Sequence, residues 1–589
     1  MFRITKKYIF FILLTLITVY TGCKEGSSIE SRPNVIFIIT DDQGYGDLGF
    51  HGNPDIRTPN LDRFAEENIR FSNFYVCPVC APTRASLMTG RYHIRTGVWD
   101  TYNGGAIMAT EEVTMAEVFR DNGYQTGIFG KWHLGDNYPF RPQDQGFNES
   151  LIHRGGGIGQ VSNIVDFFRF DSSYFNPTLL ENGVPVQKNG YCSDIFTQGA
   201  IDFIQHHSGK SFFLYLSFNA PHTPLQLPEE YDEMYKNLLF DTASYGISGY
   251  PVPEINDDHA RAARKVYGMV SNIDDNLGKL FKILDQQGIT DSTIIIFITD
   301  NGPQQIRYTA GLRGQKGSVY EGGIKVPSFW SIPGDYSGNK DITVSAAHID
   351  IFPTLAELCN LFIPGGVRFD GESLLPLIHD ETVHWIDRPL FFHWQRGYPE
   401  PYRNIAVRKG DFKLVGHSDY TAKESEFELF NIKEDPWEMT NINMKFPEKV
   451  RELKGDFDRY YSEVIQSPNL RPQRARIGTQ FENPVILNRN DAKGSPGIWA
   501  QKQIYGYWNI SVINAGLYDI TFNFHHTLNA PGDMLLKIGT LQRTKRIQEP
   551  VNEITMEGIY LGPGDFMFES RYSSDNGNYL PFYVTILMN

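Results

Sequence analysis

Two short apolar segments, Asn34–Thr40 (NVIFIIT) and Thr293–Thr299 (TIIIFIT), constrain the fold of this chain most strongly. Each is a continuous run of apolar and mostly β-branched residues, without the alternation of polar side chains that a half-exposed strand shows. Such runs are typical of strands that are buried on both faces, as in a parallel sheet. The two segments therefore predict a large, covered central sheet.

Further strand and helix patterns alternate between residues 33 and 385. Strands are predicted at 126–130 and 211–218, and helical periodicity begins near residue 58 and again over 262–287. Alternating strands and helices are typical of an α/β fold. We expect residues 33–385 to form a doubly wound, mostly parallel sheet with helices on both faces.

The pattern changes after residue 385. Segments 405–415 and 427–430 alternate as an antiparallel hairpin does, and 446–464 has helical periodicity. We expect residues 386–475 to form a smaller α+β subdomain. Residues 480–589 contain only short strands and turns, which predict an additional all-β, sandwich-like domain.

The N-terminus is typical of an export signal. Cationic residues precede an apolar run at 8–20, which is shorter than the about 20 residues that span a bilayer. Small residues and then Cys23 follow, as in bacterial lipoproteins. We expect a signal peptide at 1–22, lipidation of Cys23, a tether at 23–32, and a periplasmic, outer-membrane or cell-surface location. An uncleaved anchor and a plain secretory signal are the alternatives; the lipid anchor is the only membrane contact expected.

Charge and cysteine content exclude two classes of protein. The formal net charge of −15 argues against a nucleic-acid partner, which requires a basic face. It leaves an anionic substrate open, because a basic pocket can lie in an acidic protein. Five cysteines in 589 residues do not form a disulfide framework.

Oxygen-bearing side chains follow both apolar segments. Asp41 and Asp42 come directly after the first, and Asp300 and Asn301 after the second. The carboxyl ends of neighbouring parallel strands meet at one edge of a sheet, where α/β proteins bind ligands. Hard oxygen ligands suit Ca²⁺ or Mg²⁺. In isolation the Asp pair could equally form a turn and cap a helix.

The segment CAPTRASLMTGR, at residues 80–91, is the most informative motif. It resembles the signature of the formylglycine-dependent sulfatases, which have the alkaline phosphatase superfold; Thr83 stands where serine is commoner. The other motifs of that family follow in the same order. They are Asp41-Asp42, Lys131-Trp132-His133, Pro221-His222, Asp300-Asn301 and Lys316 within GLRGQKG.

The resemblance implies a catalytic apparatus. Cys80 would be converted to Cα-formylglycine by a formylglycine-generating enzyme, and a hydroxyl of its hydrate would attack the sulfur of a sulfate ester. Ca²⁺ or Mg²⁺, with Ca²⁺ favoured, would be held by the strand-end residues and by residue 80. The implied metal ligands are Asp41, Asp42, Cys80, Asp300 and Asn301.

The same resemblance implies roles for the cationic and imidazole side chains. Arg84 would steady formylglycine, and Lys131 and Lys316 would bind the sulfate oxygens. His133 would act as the base that restores the aldehyde, and His222 would protonate the leaving oxygen. The expected reaction is release of inorganic sulfate from a sulfated glycan.

Two other functions are weighed against this one. The first is a phosphonate or phosphate ester hydrolase of the same superfold, and the second is an inactive glycan-binding surface protein. A redox role for the Cys77–Cys80 pair is a third, weaker alternative.

Two further segments could contact a substrate. His153 and Arg154 precede a glycine-rich loop at 155–159. We expect these two residues and the loop to border the substrate pocket. In the terminal domain, Trp499, Tyr505, Tyr507 and Trp508 could stack on sugar rings or pack in the core of a sandwich.

Overall fold

The computed structural model describes residues 32–589 apart from 168, 242–253, 335–337, 380–384, 386 and 419–421. The segment before residue 385 supplies a ten-stranded sheet and a small three-stranded sheet. Its strands are β1 (Asn34–Thr40), β2 (Ile69–Phe71), β3 (Phe74–Tyr75), β4 (Gln125–Lys131), β5 (Glu149–His153), β6 (Thr178–Glu181), β7 (Val184–Gln187), β8 (Phe212–Ser217), β9 (Thr293–Thr299), β10 (Lys325–Val326), β11 (Ser328–Ser331), β12 (Lys340–Ile342) and β13 (Ala346–Ala347).

The large sheet has a parallel centre. Its strand order is β12-β2-β11-β9-β1-β8-β4-β5-β6-β7. Strand β1 pairs in parallel with both β8 and β9, and β4 pairs in parallel with β5 and β8. Strands β6, β7 and β11 pair antiparallel. The predicted α/β sheet is confirmed, but it is mixed, because these three strands run antiparallel to their neighbours.

Strand β1 is apolar throughout because it faces two cores. Val35, Phe37 and Ile39 lie in one hydrophobic cluster, and Ile36 and Ile38 lie in the other. Side chains of a strand alternate between the faces of a sheet, so an unbroken apolar run requires cover on both sides. This explains the sequence feature that most constrains the fold.

Helices cover the two faces. In chain order the helices are α1 (Pro59–Glu67), α2 (Cys80–Thr89), α3 (Met115–Asp121), α4 (Ile164–Phe167), α5 (Cys192–His206), α6 (Glu229–Tyr235), α7 (Asp257–Gln287), α8 (Glu321–Ile324), α9 (Ile351–Leu358), α10 (Leu375–His379) and α11 (Pro447–Val464). The first cluster receives side chains from α2, α3 and α9, and the second from α1, α5 and α7.

A four-stranded antiparallel sheet follows. Its strands pair in the order β14 (Leu390–His393), β15 (Arg403–Lys409), β16 (Phe412–His417) and β17 (Glu428–Asn431). Leu453 and Phe457 of α11 share a buried cluster with Ile405 and Leu414 of this sheet. The apolar spacing of α11 therefore reflects its packing against the sheet.

The last part of the chain contains only strands. They are β18 (Ala475–Ile477), β19 (Val485–Asn488), β20 (Lys493–Gly494), β21 (Gly506–Val512), β22 (Gly516–Leu528), β23 (Gly532–Ile538), β24 (Leu541–Ile547), β25 (Val551–Leu561), β26 (Gly564–Ser574), β27 (Gly577–Tyr579) and β28 (Tyr583–Met588). They form one sheet of seven strands and one of four. Trp508 and Phe568 of the first sheet and Phe522 and Val584 of the second share one core, as in a sandwich. We call residues 475–589 the β-module.

The predicted export segment lies outside the described residues. This includes the apolar run 8–20, Cys23 and the tether up to residue 31. Within the described part of the chain, no helix combines the length and the apolar character needed to cross a membrane.

Asp274 of α7 caps the N-terminus of α1. Its carboxylate accepts hydrogen bonds from the backbone N–H of Leu61 (2.7 Å) and from the backbone N–H (3.1 Å) and side-chain amide (2.9 Å) of Asn60. Thr58, at the N-cap position, makes no capping bond with its side chain. A residue distant in sequence thus accepts from N–H groups that the first turn of a helix leaves unpaired.

We predict that Asp274→Ala lowers the free energy of unfolding by about 1–3 kcal/mol, because buried donors lose their acceptor. The midpoint of urea denaturation, followed by circular dichroism, measures this change. Asp258→Ala is the matched control, since that side chain lies on the same helix and is 82% exposed. Equal effects of the two substitutions would contradict the capping role.

Candidate active site

The site lies where strands β1 and β9 end. Asp41 and Asp42 leave β1, and Asp300 and Asn301 leave β9, which is the hydrogen-bonded neighbour of β1. All four side chains are fully buried. The backbone of Asp42 has a φ of 66°, a left-handed conformation that turns the chain sharply after Asp41. Adjacent parallel strands therefore bring together residues that are far apart in sequence.

Three cationic side chains lie against the three carboxylates. Lys131 Nζ is 2.6 Å from Asp41 Oδ2, and Lys316 Nζ is 2.5 Å from Asp42 Oδ1. Arg84 Nη2 is 2.8 Å from Asp300 Oδ2. The formal charges of the six groups cancel. Burial of the acidic residues is tolerable because each has a cationic partner.

Arg84 is held by more than its ion pair. Its Nη1 also donates to Ser217 Oγ (2.5 Å) at the end of β8 and to the carbonyl of Lys131 (3.2 Å) at the end of β4. The guanidinium thus connects the ends of three strands. Ser217 was not predicted from the sequence, although it stands at the end of a predicted strand, where functional side chains are expected.

Several oxygens of the cluster remain available for a cation. Asp41 Oδ1, Asp42 Oδ2 and Asn301 Oδ1 are buried and have no hydrogen-bond partner among the described residues. One ligand atom each from Asp41, Cys80 and Asp300 lies within 4.8 Å of the others. Buried oxygens without donors are the ligands that Ca²⁺ and Mg²⁺ take. The predicted metal ligands are thus brought together, and they fit a hard cation.

The pKa values of two buried carboxyl groups, those of Asp300 and Asp42, shift in opposite directions. Burial and the nearby charge of Asp41 raise the pKa of Asp300 to about 6. Burial opposes ionisation of Asp42 as well, but Lys316 and His222 hold the pKa of its carboxyl well below its usual range. Crowding of carboxylates at one point is relieved when a cation is bound between them.

Cys80 is the first residue of α2 and is 2% exposed. Helix α2 therefore places residue 80 at the positive end of the helix dipole. Burial raises the pKa of the Cys80 thiol despite Lys131 and Lys316. The unmodified thiol is therefore largely protonated at neutral pH and is poorly activated as a nucleophile.

The other cysteine of this segment, Cys77, has a different neighbour. Its Sγ lies 3.4 Å from Nε2 of His348.

His133 presents Nδ1 to residue 80. Its Nδ1 is 3.4 Å from Cys80 Sγ, and its Nε2 is 2.9 Å from the carbonyl oxygen of Thr101. A carbonyl only accepts, so Nε2 carries the proton of the neutral ring. Burial and Lys131 keep the pKa of His133 well below its usual range. Its Nδ1 is thus an unprotonated acceptor beside the residue that would react.

His222 has the opposite tautomer. Its Nδ1 lies 2.7 Å from the carbonyl of Thr223, so this nitrogen donates, and Nε2 lies 3.7 Å from Asp42 Oδ2. Burial and Lys316 lower its pKa to about 3. In the absence of substrate, Nε2 is therefore unprotonated.

The glycine-rich loop packs against both histidines. A Cβ on Gly156 would lie 3.3 Å from His133 Cε1, and one on Gly157 would lie 3.3 Å from His222 Nδ1. Gln160 lies closer still, at 2.8 Å from the Cβ position of Gly156 and 3.2 Å from that of Gly157. Close approach of the backbone to Gln160 and to both rings is the physical reason for glycine at these positions. The loop therefore borders the site, as we expected, and it does so through Gly156 and Gly157.

A cavity of about 760 Å³ opens beside Cys80. Some lining residues are the predicted Cys80, His133, His222 and Lys316; the others are Val79, Thr101, Gly156, Gln160, Thr223, Gln304, Gly317, Ser318, Trp394, Arg396, Asn404 and Trp499. A separate cavity of about 570 Å³ lies between α5 and strand β5 and includes none of the predicted site residues.

His153 and Arg154 do not line the cavity beside Cys80, which corrects our expectation. They line a smaller cavity next to Ile486 of the β-module. His153 Nδ1 approaches the carbonyl of Arg154 at 3.0 Å, and Arg154 Nη2 is 3.9 Å from Glu482. Acidic groups of the β-module draw Arg154 away from the reacting centre, which the sequence alone did not reveal.

The aromatic residues of the β-module have different positions. Trp508 is 1% exposed in the sandwich core, whereas Tyr505 is 51% exposed on another surface. Trp499 lines the cavity beside Cys80. Trp508 therefore packs in the core of the sandwich, and sugar stacking stays a prediction for Trp499.

Comparison with known proteins agrees with this geometry. Residues 33–361, more than half of the chain, match the Sulfatase family model, and residues 314–461 match the model described as N-sulphoglucosamine sulphohydrolase, C-terminal. The chain belongs to the sulfatase family. It is a sulfuric ester hydrolase with the alkaline phosphatase fold.

Relatives and solved structures cover most of this sulfatase. Arylsulfatase A of Bos taurus is 31% identical over 71% of this chain and 84% of its own length. N-acetylgalactosamine-6-sulfatase of Rattus norvegicus is 31% identical over 61% of this chain and 68% of its own length. The crystal structure of Ps i-CgsB in complex with k-i-k-neocarrahexaose is 28% identical, has a TM-score of 0.64, and covers 75% of this chain and 95% of that one.

We predict that Arg84→Lys reduces kcat/KM for sulfate ester hydrolysis at least about 100-fold, because one ammonium group cannot hold three strand ends in register. The measurement is the initial rate of sulfate release from a sulfate ester that the unsubstituted enzyme hydrolyses. Arg120→Lys, in the exposed pair with Asp121, is the control and should stay within about 3-fold. An active Arg84→Lys enzyme would refute the positioning role.

Proposed function

We propose that this sulfatase releases inorganic sulfate from a sulfated carbohydrate, with formylglycine formed at Cys80 and a divalent cation, Ca²⁺ or less favourably Mg²⁺. The observation that carries the proposal is the juxtaposition of residue 80, three carboxylates and three cationic side chains at the ends of β1, β4 and β9. We also propose export as a lipoprotein, with Cys23 lipidated, because the leader has the pattern described above.

Charge supports an anionic substrate. The six paired side chains sum to zero, so a bound divalent cation would leave the centre positive. A positive, buried centre attracts a sulfate ester and stabilises charge that develops on its oxygens. Asp41, Asp42, Asp300, Asn301 and residue 80 would hold the cation. When bound, it would offset the negative charge of the reacting groups.

Support for a carbohydrate substrate comes from the relatives and from the cavity. One relative is named an N-acetylgalactosamine-6-sulfatase, and Ps i-CgsB was crystallised with k-i-k-neocarrahexaose. The cavity is lined by two tryptophans together with Gln160, Gln304 and Asn404. Aromatic faces with a few polar groups are suited to sugar rings.

The residues divide the proton transfers between them. His133 Nδ1 faces residue 80, so it would accept a proton from the reacting group there. His222 Nε2 faces the cavity and would protonate the leaving oxygen. This second role requires that the bound sulfate raise the pKa of His222, as a nearby anion does. Lys131 and Lys316 would donate to the sulfate oxygens.

We predict that Cys80→Ala abolishes sulfate release. The protein, from residue 27, is co-expressed with a formylglycine-generating enzyme, and peptide mass spectrometry verifies the aldehyde at residue 80. Ion chromatography then measures sulfate and phosphate release from a panel of sulfated mono- and oligosaccharides and from phosphate and phosphonate esters. Cys77→Ala is the matched control and should retain activity. Phosphate release without sulfate release would overturn the proposal.

We predict that Asp41→Asn lowers the affinity for Ca²⁺ at least about 10-fold, since a carboxylate ligand is lost. Isothermal titration of chelator-treated protein measures the affinity, and Ca²⁺ should raise the melting temperature of the unsubstituted protein. Asp121→Asn, at an exposed pair with Arg120, is the control. Failure of both Ca²⁺ and Mg²⁺ to bind would exclude the metal site.

A further inference from the structure

The cavity beside Cys80 has a wall that the assigned chemistry does not use. Trp394, Arg396 and Asn404 come from the four-stranded sheet region, and Trp499 comes from the β-module. We call Trp394, Arg396 and Trp499 the aromatic wall. Since the sulfate of a substrate must lie at residue 80, the remainder of the substrate is left to contact the other cavity residues, this wall among them.

The wall contains donors without acceptors. The indole N–H groups of Trp394 and Trp499 are shielded from water and have no hydrogen-bond partner within the described part of the chain. Gln160 also lines this cavity, and its Oε1 is likewise buried without a hydrogen-bond partner among the described residues. Unsatisfied polar groups are rare in folded proteins and each requires a reason. All three belong to residues that line this one cavity.

Arg396 is fixed in place at this wall. Its Nη1 is 2.7 Å from both Asp100 Oδ1 and Thr101 Oγ1, and its guanidinium carbon lies 5.0 Å from the ring centroid of Tyr102 and 5.1 Å from that of Trp394. The side chain is nevertheless 56% exposed. A stacked, anchored guanidinium presents its remaining donors to oxygen substituents at little cost in conformational entropy.

Trp394 is fixed by its neighbours. Asn404 Nδ2 donates to the carbonyls of Trp394 (2.6 Å) and Gly317 (2.7 Å). A Cβ on Gly317 would lie 3.1 Å from the indole of Trp394, so the loop that carries Lys316 packs directly on this ring. The wall and the sulfate-binding lysine are thus parts of one rigid unit.

The β-module presents Trp499 rigidly. The preceding residue, Ile498, is buried in the sandwich core. Arg489 Nη1 donates to the carbonyls of Ile498 (3.3 Å) and Gln501 (2.7 Å), which flank Trp499. The indole itself packs edge-on against Tyr102, with ring centroids 5.9 Å apart. This support is typical of a binding residue rather than of a mobile surface loop.

The β-module is docked where the wall forms. Asn103 Oδ1 accepts a hydrogen bond from the backbone N–H of Gly494 (2.8 Å), and Gly104 N–H donates to the carbonyl of Asn490 (3.3 Å). Lys493 Nζ lies 6.0 Å from the ring centroid of Trp99. These contacts hold the module against the loop that carries Thr101 and Tyr102.

We propose that the aromatic wall is a sugar subsite on the leaving-group side of the cavity, and that Trp499 of the β-module is a specificity-determining residue of the sulfatase. A sugar ring stacks on Trp499, and its hydroxyl or anionic oxygens accept hydrogen bonds from Arg396. The proposal rests on the proposed function, because it assigns the alcohol portion of the same ester.

The test compares Trp499→Ala and Trp499→Phe with the unsubstituted enzyme. The substrates are the sulfated oligosaccharides that the unsubstituted enzyme hydrolyses, and inorganic sulfate is the competitive inhibitor, since it occupies only the sulfate position. Tyr505→Ala is the matched control, an exposed aromatic residue of the same module on a different surface.

We expect Trp499→Ala to lower kcat/KM for the oligosaccharide at least about 10-fold, mainly through KM. The inhibition constant of inorganic sulfate should change by less than about 2-fold. Trp499→Phe keeps the ring and should retain more activity than Trp499→Ala, and Tyr505→Ala should match the unsubstituted enzyme.

Two results would overturn the subsite. One is an unchanged kcat/KM for the oligosaccharide in Trp499→Ala. The other is an equal loss of oligosaccharide turnover and of sulfate inhibition, which would mean that Trp499 only supports the fold of the site. The proposed function fails separately, if the unsubstituted enzyme with its aldehyde verified releases sulfate from no saccharide.

Discussion

The charge balance at the ends of β1, β4 and β9 is the constraint on which the rest of this structure depends. Three carboxylates are buried within a few ångströms of one another, and each requires its own cation: Lys131, Lys316 or Arg84. An unpaired buried charge costs several kcal/mol, of order the stability of a whole domain. The large, doubly covered sheet supplies the rigid frame that such a cluster needs.

The sequence predicted the parts of the fold that are governed by local pattern. Strands β1 and β9 followed from continuous apolar runs, and these runs are apolar because alternate side chains enter different cores. The predicted metal ligands followed from the same strands, since neighbouring parallel strands end at one edge. Residue 80 and the cationic residues followed from motif resemblance, and the structure places the cationic side chains against the buried carboxylates.

What the sequence did not predict depends on packing between distant segments. The partner of Arg84 at Ser217 and the cap that Asp274 provides join residues more than one hundred positions apart. His153 and Arg154 were misplaced because their polarity gave no sign of the acidic neighbours in the β-module. Trp499 could not be separated from the core residue Trp508 by type or spacing, since both are tryptophans in an aromatic-rich segment.

The hydrogen bond from His133 Nε2 to the carbonyl of Thr101 links the site at residue 80 to a loop that contacts the β-module. Thr101 lies in the loop whose residues Asn103 and Gly104 form hydrogen bonds with Gly494 and Asn490 of the β-module. The tautomer of His133 is therefore set by a loop that the β-module holds in place. A chain that ended before residue 475 would contain every side chain assigned to the reaction, yet it would lack this support. The β-module thus supports the site through the loop that carries Thr101.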